Sequence, residues 1–300
     1  MLSARSLLNG LIDYAGLFPP ASLGMESAMR TYEDCRSGND RSFVGRFIVP
    51  ATRLDEMTAC GKNVFPRGDQ ATPWKLSVTT TVGSASERDA ILHFNCSHHT
   101  GSELGNAVCD TIEMPVADSS AVRTAIVAYP DFFRLFLEVP VGADPDSVIR
   151  AMAGTRAAAK MRTGGITAQS IPSSADVLRF MRACKHHGVP FKATAGLHHA
   201  LRGEYALTYD DNSPSAEMFG YLNVFLAGAF LDIGMDEANL TKILEEKDPE
   251  AFRFDDFGVS WRGERIGVDA LERSRRQFTL SYGSCSFTEP LQEARELGLV

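Results

Sequence analysis

Short runs rich in β-branched and aromatic residues recur roughly every 25 to 33 residues along this chain, each followed by a segment of helical period, which is the rhythm of βα units. The runs are Leu11–Phe18, Phe43–Pro50, Trp74–Val82, Val108–Val116, Arg134–Val141, Ala158–Gly164 and Phe191–Leu197. Helix ends fall between them. Asp118 precedes Val122, Ile126 and Tyr129; Asp144-Pro145 reads as a cap followed by a first-turn proline; Ser173 or Ser174 opens a helix carrying Val177, Leu178, Met181 and Cys184, which Gly188 stops. After the seventh run the rhythm changes. Residues 205–277 read as an insertion, with helices over Ala216–Ile233 and Glu237–Glu246 and a hairpin over Phe252–Ile266 turning at Arg262-Gly263. Phe278–Phe287 then supplies an eighth strand and Pro290–Leu297 a closing helix. Eight parallel strands close a barrel, whereas an open doubly wound sheet has no such fixed number. The expectation is an α/β chain forming one (β/α)8 TIM barrel, a single domain over 1–300 with an insertion between strands 7 and 8.

The length of 300 residues suits one such barrel, and 44% hydrophobic with 23% charged residues is the composition of a folded globular chain. A net charge of −8 speaks against nucleic acid as a partner, since nucleic-acid binders gather Lys and Arg on one face. The six cysteines form no C-x-x-C pair, and reduced thiols in a cytoplasmic protein are expected. Residues 1–10 lack the apolar stretch of a secretory leader, and Tyr221–Ile233 is too short to cross a bilayer, so no membrane partner is expected. A small molecule is the expected partner; a homo-oligomer stays open.

Catalytic groups of a parallel barrel come from the carboxyl ends of its strands, so polar residues ending apolar runs carry the chemical information. Here they are Asp13 in Ile-Asp-Tyr, Glu113 in Thr-Ile-Glu-Met, Glu138 in Phe-Leu-Glu-Val, Lys160 in Ala-Ala-Lys-Met and Lys192 in Pro-Phe-Lys-Ala. A lysine inside such a run must be paired or neutral. On adjacent strands, roughly 5 Å apart by sheet spacing, Lys160 and Lys192 are expected to depress each other's pKa. One amine then becomes nucleophilic near neutral pH and forms a Schiff base, with the carboxylates moving protons. The bland alternative is that both lysines form buried ion pairs with Glu113 and Glu138, or hold an anion without bonding to it.

Beside them stand Arg162, His198 and His199, which suit a carboxylate or other anion, a guanidinium gripping two oxygens at once. The turns at Gly164-Gly165 and Gly283-Ser284 could cradle an anion on backbone N–H groups. Of the histidine doublets, His186-His187 is expected to close a helix and His98-His99 to lie in a surface loop; only His198-His199 follows a strand. Glu113 and Glu138 with His198 or His199 could instead hold a divalent metal for lyase or isomerase chemistry. No metal or cofactor is assigned, and no G-x-G-x-x-G or P-loop motif is present. A barrel without catalysis, working as a binding subunit, is the third alternative.

In order along the barrel, these motifs resemble those of the deoxyribose-phosphate aldolase family of class I aldolases. Ile12-Asp13 with Pro19 resembles its first-strand motif, Asp110-Thr-Ile-Glu113 its fourth-strand acidic motif, and Leu137-Glu138 its fifth. Lys160-x-x-Thr163-Gly164 is similar to its Schiff-base motif, Lys192-x-x-x-Gly196 to its second-lysine motif, and Gly283-Ser284-Cys285-Ser286 to its phosphate loop. The resemblance implies that Lys160 forms the imine, that Lys192 lowers its pKa, and that Glu113 relays protons where the family has aspartate. It implies an anion site lined by Gly164, Gly196 and Ser284. The chain departs from the family at Ala195 and His198, where the family has glycine and arginine, and at Arg162, where it has a small residue. The expected substrate is therefore a small, anionic carbonyl compound such as a 2-oxo acid, or an aldehyde, rather than a deoxyribose phosphate.

Overall fold

A computed structural model describes residues 1–140 and 144–300. Eight strands form a closed barrel: β1 (Ile12–Tyr14), β2 (Val44–Pro50), β3 (Trp74–Thr79), β4 (Ala107–Pro115), β5 (Arg134–Glu138), β6 (Ala157–Arg162), β7 (Phe191–Thr194) and β8 (Thr279–Ser284). Every neighbouring pair is parallel, and β8 closes the ring between β7 and β1. The chain is thus a (β/α)8 TIM barrel.

Each strand lies within a residue or so of the start expected from sequence, and most stop earlier. The tails expected as strand, such as residues 15–18 and 195–197, belong to the loops that build the carboxyl face; at the second, Ala195 (φ +62°) and Gly196 (φ +77°) turn the chain out of extended geometry. Val141, placed at the end of the fifth run, lies outside the described residues. Helix caps follow the side chains that signalled them. The Asp118 carboxylate accepts from the backbone N–H of Ser120 and Ala121, and Ser173 forms a capping box with Asp176 before helix Ser174–His187. Gly188 ends that helix at φ +64°. One cap is shifted: Pro145 itself sits at the N-cap of Asp146–Arg150, and Asp144 Oδ1 accepts from the Asp146 N–H at 3.1 Å.

The expected helix Ala216–Ile233 is two elements. Ser215–Met218 pairs antiparallel with Gly203–Ala206, and the helix runs only over Tyr221–Asp232. The break is Gly220, where a Cβ would stand 2.3 Å from the Leu201 backbone, so the chain passes too close for a side chain. Ten consecutive residues of the helix, Tyr221 to Phe230, are buried. Its uniformly apolar composition follows, because Phe225 meets Phe191 and Tyr282 of the barrel while other faces meet helices Glu237–Glu245 and Val268–Gln277. The expected hairpin has a third strand. Phe252–Phe254, Gly258–Trp261 and Glu264–Gly267 form an antiparallel sheet, its second turn made by Arg262 and Gly263 at φ +45° and +95°. None of the helices of the described residues is long and apolar enough to cross a membrane.

Candidate functional site

Register sets the geometry of the site. Lys160 on β6 is the direct partner of Lys192 on β7, and Glu138 on β5 is the direct partner of Lys160. Barrel closure then brings Glu113 of β4 and Asp13 of β1 across to them. Lys192 is fully buried, its Nζ 2.5 Å from Asp13 Oδ2 and 2.6 Å from Glu113 Oε1. Lys160 Nζ lies 2.8 Å from Glu113 Oε2 and 3.0 Å from Glu138 Oε2. Glu113 therefore bridges the two ammonium groups through its two oxygens, and its Oε2 faces Lys160 without a well-aligned hydrogen bond.

Residues with no obvious chemistry hold this cluster. The Asp13 carboxylate accepts from the Arg46 backbone N–H at 2.7 Å and the Ser281 hydroxyl at 2.8 Å, besides Lys192. Gly45 makes room for it, since a Cβ there would stand 2.2 Å from Asp13 Oδ1. Ser77 donates to Glu113 Oε1 at 2.6 Å, and the Phe136 ring centroid is 5.1 Å from Lys192 Nζ. None of these five was singled out from sequence. The available trace was a serine in the middle of an apolar strand, as in Leu-Ser-Val and Leu-Ser-Tyr.

The depression of the Lys160 pKa expected from the adjacent lysine is corrected by the carboxylates. Burial of Lys160 disfavours its charge, but Glu113 and Glu138 overcome that and raise its pKa above the ordinary lysine value. Burial likewise pushes Glu113 up, and the two ammonium groups reverse the sign, holding it well below the usual carboxylate range. At rest Lys160 is held as an ammonium and Glu113 as a carboxylate.

A cavity of about 450 Å3 opens above Lys160, within the size range of small-molecule sites. Of the residues expected at the site, Glu113, Glu138, Lys160, Arg162, Gly165, Gly196, His198 and Gly283 line it. Lys192 and Asp13 do not; they are buried in the barrel, joined to the lining through Glu113. Thr163 is outside the lining too, its hydroxyl donating to Ala195 O at 2.6 Å to tie the loop after β6 to that after β7. Gly164 belongs to the same junction, because a Cβ there would stand 2.9 Å from Gly196 Cα. Ser284 is buried, and its oxygen accepts from the Ser286 N–H at 3.3 Å. The expected anion cradle of Gly164, Gly196 and Ser284 is therefore not assembled: only Gly196 reaches the cavity.

Arg162 is the cation with freedom to meet a ligand, half-exposed and 3.9 Å from Glu138. His198 is held at the wall by Glu289 at 3.4 Å and lies 3.8 Å from the Cys285 sulfur. Burial opposes its charge, yet hydrogen bonding to Cys285 and Glu289 raises its pKa to about 9. His199 turns away, its Nδ1 2.6 Å from Glu293 and its ring stacked 3.5 Å from that of Tyr205. The metal set of Glu113, Glu138 and His198 or His199 is thus not brought together, and among the described residues no group of His, Cys, Asp and Glu is arranged to hold an ion. Of the other doublets, His187 meets Asp146 at 2.7 Å from the last position of its helix, and His99 is exposed. His98 is not a loop residue at the surface: it is buried, stacked on Phe94 at 4.0 Å and 2.9 Å from the Thr58 hydroxyl.

No family model matches the chain, and no curated protein matches it. Among solved structures, the crystal structure of the Bacillus cereus spore cortex-lytic enzyme SleL is similar at 11% identity and a TM-score of 0.40, with 97% of this chain and 74% of that one covered. So loose a likeness carries no argument about activity.

Proposed function

We propose that this barrel is an imine-forming class I aldolase or lyase acting on a small anionic carbonyl compound, with Lys160 as the nucleophile. The observation that carries the proposal is an amine on the cavity surface with two carboxylates within 3.0 Å. Glu138 is the base of choice. Glu113 is held ionised by two ammonium groups and is a poor proton acceptor, whereas Glu138 is partly exposed in the cavity and touches a single lysine.

Glu138 takes one proton from the Lys160 ammonium, and the freed nitrogen pair attacks the carbonyl carbon. The C=O electrons move to oxygen, which regains that proton; loss of water from the carbinolamine leaves a protonated imine. In sum, ammonium plus carbonyl gives iminium plus water. For a β-hydroxy substrate, Glu138 then removes the hydroxyl proton as the carbon–carbon bond breaks, its electrons flowing into the iminium to give an enamine and an aldehyde. Protonation of the enamine and hydrolysis return Lys160. Lys192 positions the machinery by fixing Glu113, and Arg162 receives the substrate's carboxylate.

Borohydride reduction in the presence of pyruvate and other carbonyl compounds tests the proposal. A mass increase confined to the Lys160 peptide, absent in Lys160→Met, is expected. No adduct on Lys160 with any of them rejects it, and would favour a second reading that the complete pairing of both lysines supports: a cluster that shapes a binding cavity without bonding to its ligand.

A further inference from the structure

The charged groups of the cavity sit mainly on strands, and the loops that enclose it are apolar. Lys160, Glu113 and Glu138 come from β6, β4 and β5, while Phe18 comes from the loop after β1, Ile166 from the loop after β6, and Leu207 and Met218 from the hairpin that follows β7. Ile48 and Met114 continue the apolar lining on the strands. Each hydroxyl of a sugar-like substrate would need its own partner in such an enclosure, because a polar group buried unpaired costs more than the contact returns. The charged lining is largely committed already, Glu113 and Glu138 to Lys160 and His198 to Glu289, and the neutral polar lining is confined to Thr79, Thr80 and Thr194 with Cys285. Among the described lining residues, the uncommitted groups are the Thr80 hydroxyl, which has no partner, and one loosely held cation, Arg162, two residues along β6 from Lys160 and so on the same face of the strand.

From this arrangement we infer that the substrate is a 2-oxo acid, or its aldol, with an apolar alkyl or aryl body. The inference rests on the imine-forming function proposed above and names its substrate class. The carbonyl sits on Lys160, the neighbouring carboxylate on Arg162, and the tail among Phe18, Ile166, Leu207 and Met218. The hairpin Gly203–Ala206 with Ser215–Met218 is then a specificity element, since it brings the last two of these side chains to the site.

The test is the concentration giving half-maximal borohydride-trapped adduct on Lys160 for straight-chain 2-oxo acids from pyruvate to 2-oxooctanoate, with 2-keto-3-deoxygluconate as a polyhydroxylated control. Burial of each added methylene should lower that concentration roughly 4-fold. The control should need more than the alkyl acid of equal carbon number. Leu207→Asn should flatten the series; so should Ile166→Asn, whose side chain is 52% exposed and contributes little to folding. A flat wild-type series, or a control that outperforms the alkyl acids, overturns the apolar substrate while leaving the imine chemistry standing. Absence of any Lys160 adduct overturns both.

Discussion

Substituting Glu113→Gln removes one charge and almost no volume, and the structure sets both the size and the pH dependence of the result. The wild-type carboxylate is buried with Lys192 at 2.6 Å and Lys160 at 2.8 Å. Its neutral replacement leaves Lys192 with Asp13 and Lys160 with Glu138, and turns an amide N–H₂ toward an ammonium group. Removing one member of a buried ion-paired set costs about 3–5 kcal/mol, and the loss should appear in urea denaturation at pH 7. The sign on acidification follows from the folded carboxyl being depressed below its unfolded value of 4.5. Its contribution is complete well above that pH and declines as the unfolded chain takes up a proton that the folded chain refuses. By pH 4 the gap between wild type and Glu113→Gln should narrow by about 0.8 kcal/mol, from 1.36 kcal/mol per unit of proton linkage. A gap under about 1 kcal/mol at pH 7, or one that widens toward pH 4, would refute Glu113 as the ionised hub of the cluster.

Removing the lysines should rank them. Lys192→Met leaves Asp13 buried without a cation and Glu113 with Lys160 alone and should cost about 3–5 kcal/mol, whereas Lys160→Met leaves Glu113 with Lys192 and Glu138 near Arg162 and should cost roughly half as much, both read by denaturation. The His198 ring, followed by NMR, should titrate near 9 and move back toward 6.5 in Glu289→Gln. Because that pKa is raised in the folded state, its stabilisation is complete below pH 6.5 and is lost as pH rises through about 9. Ala195 holds a left-handed backbone at φ +62°. Ala195→Gly should therefore change stability by less than about 1 kcal/mol, relief of strain offsetting the freer unfolded chain, while Ala195→Val should destabilise by about 1–3 kcal/mol in the same assay.

The barrel was legible because its signal is local: apolar runs at βα spacing, with caps such as Asp118 and Ser173 fixing where helices start. The charged strand ends were legible for a related reason. An ionised residue inside a run such as Ala-Ala-Lys-Met is costly, so its presence marks a place where the fold supplies compensation. What supplies it was not legible, because the partners lie across the barrel. Glu113 on β4 meets Lys192 on β7, and Lys192 meets Asp13 on β1 with β8 between their strands. Neighbour register alone shows two lysines side by side and predicts a depressed amine; closure inserts a carboxylate between them and reverses the sign. Glycines misled in the same way. Gly164 reads as an anion-binding turn, yet it permits a backbone approach to Gly196, a contact between two loops that only the closed ring creates. That closure also explains how five charges persist in a barrel interior: every one has an opposite charge within 3.0 Å, and only Lys160, Glu113 and Glu138 also reach the cavity. Under the imine-forming function proposed above, Lys160 meets Glu138, the base proposed to deprotonate it, already in contact at 3.0 Å.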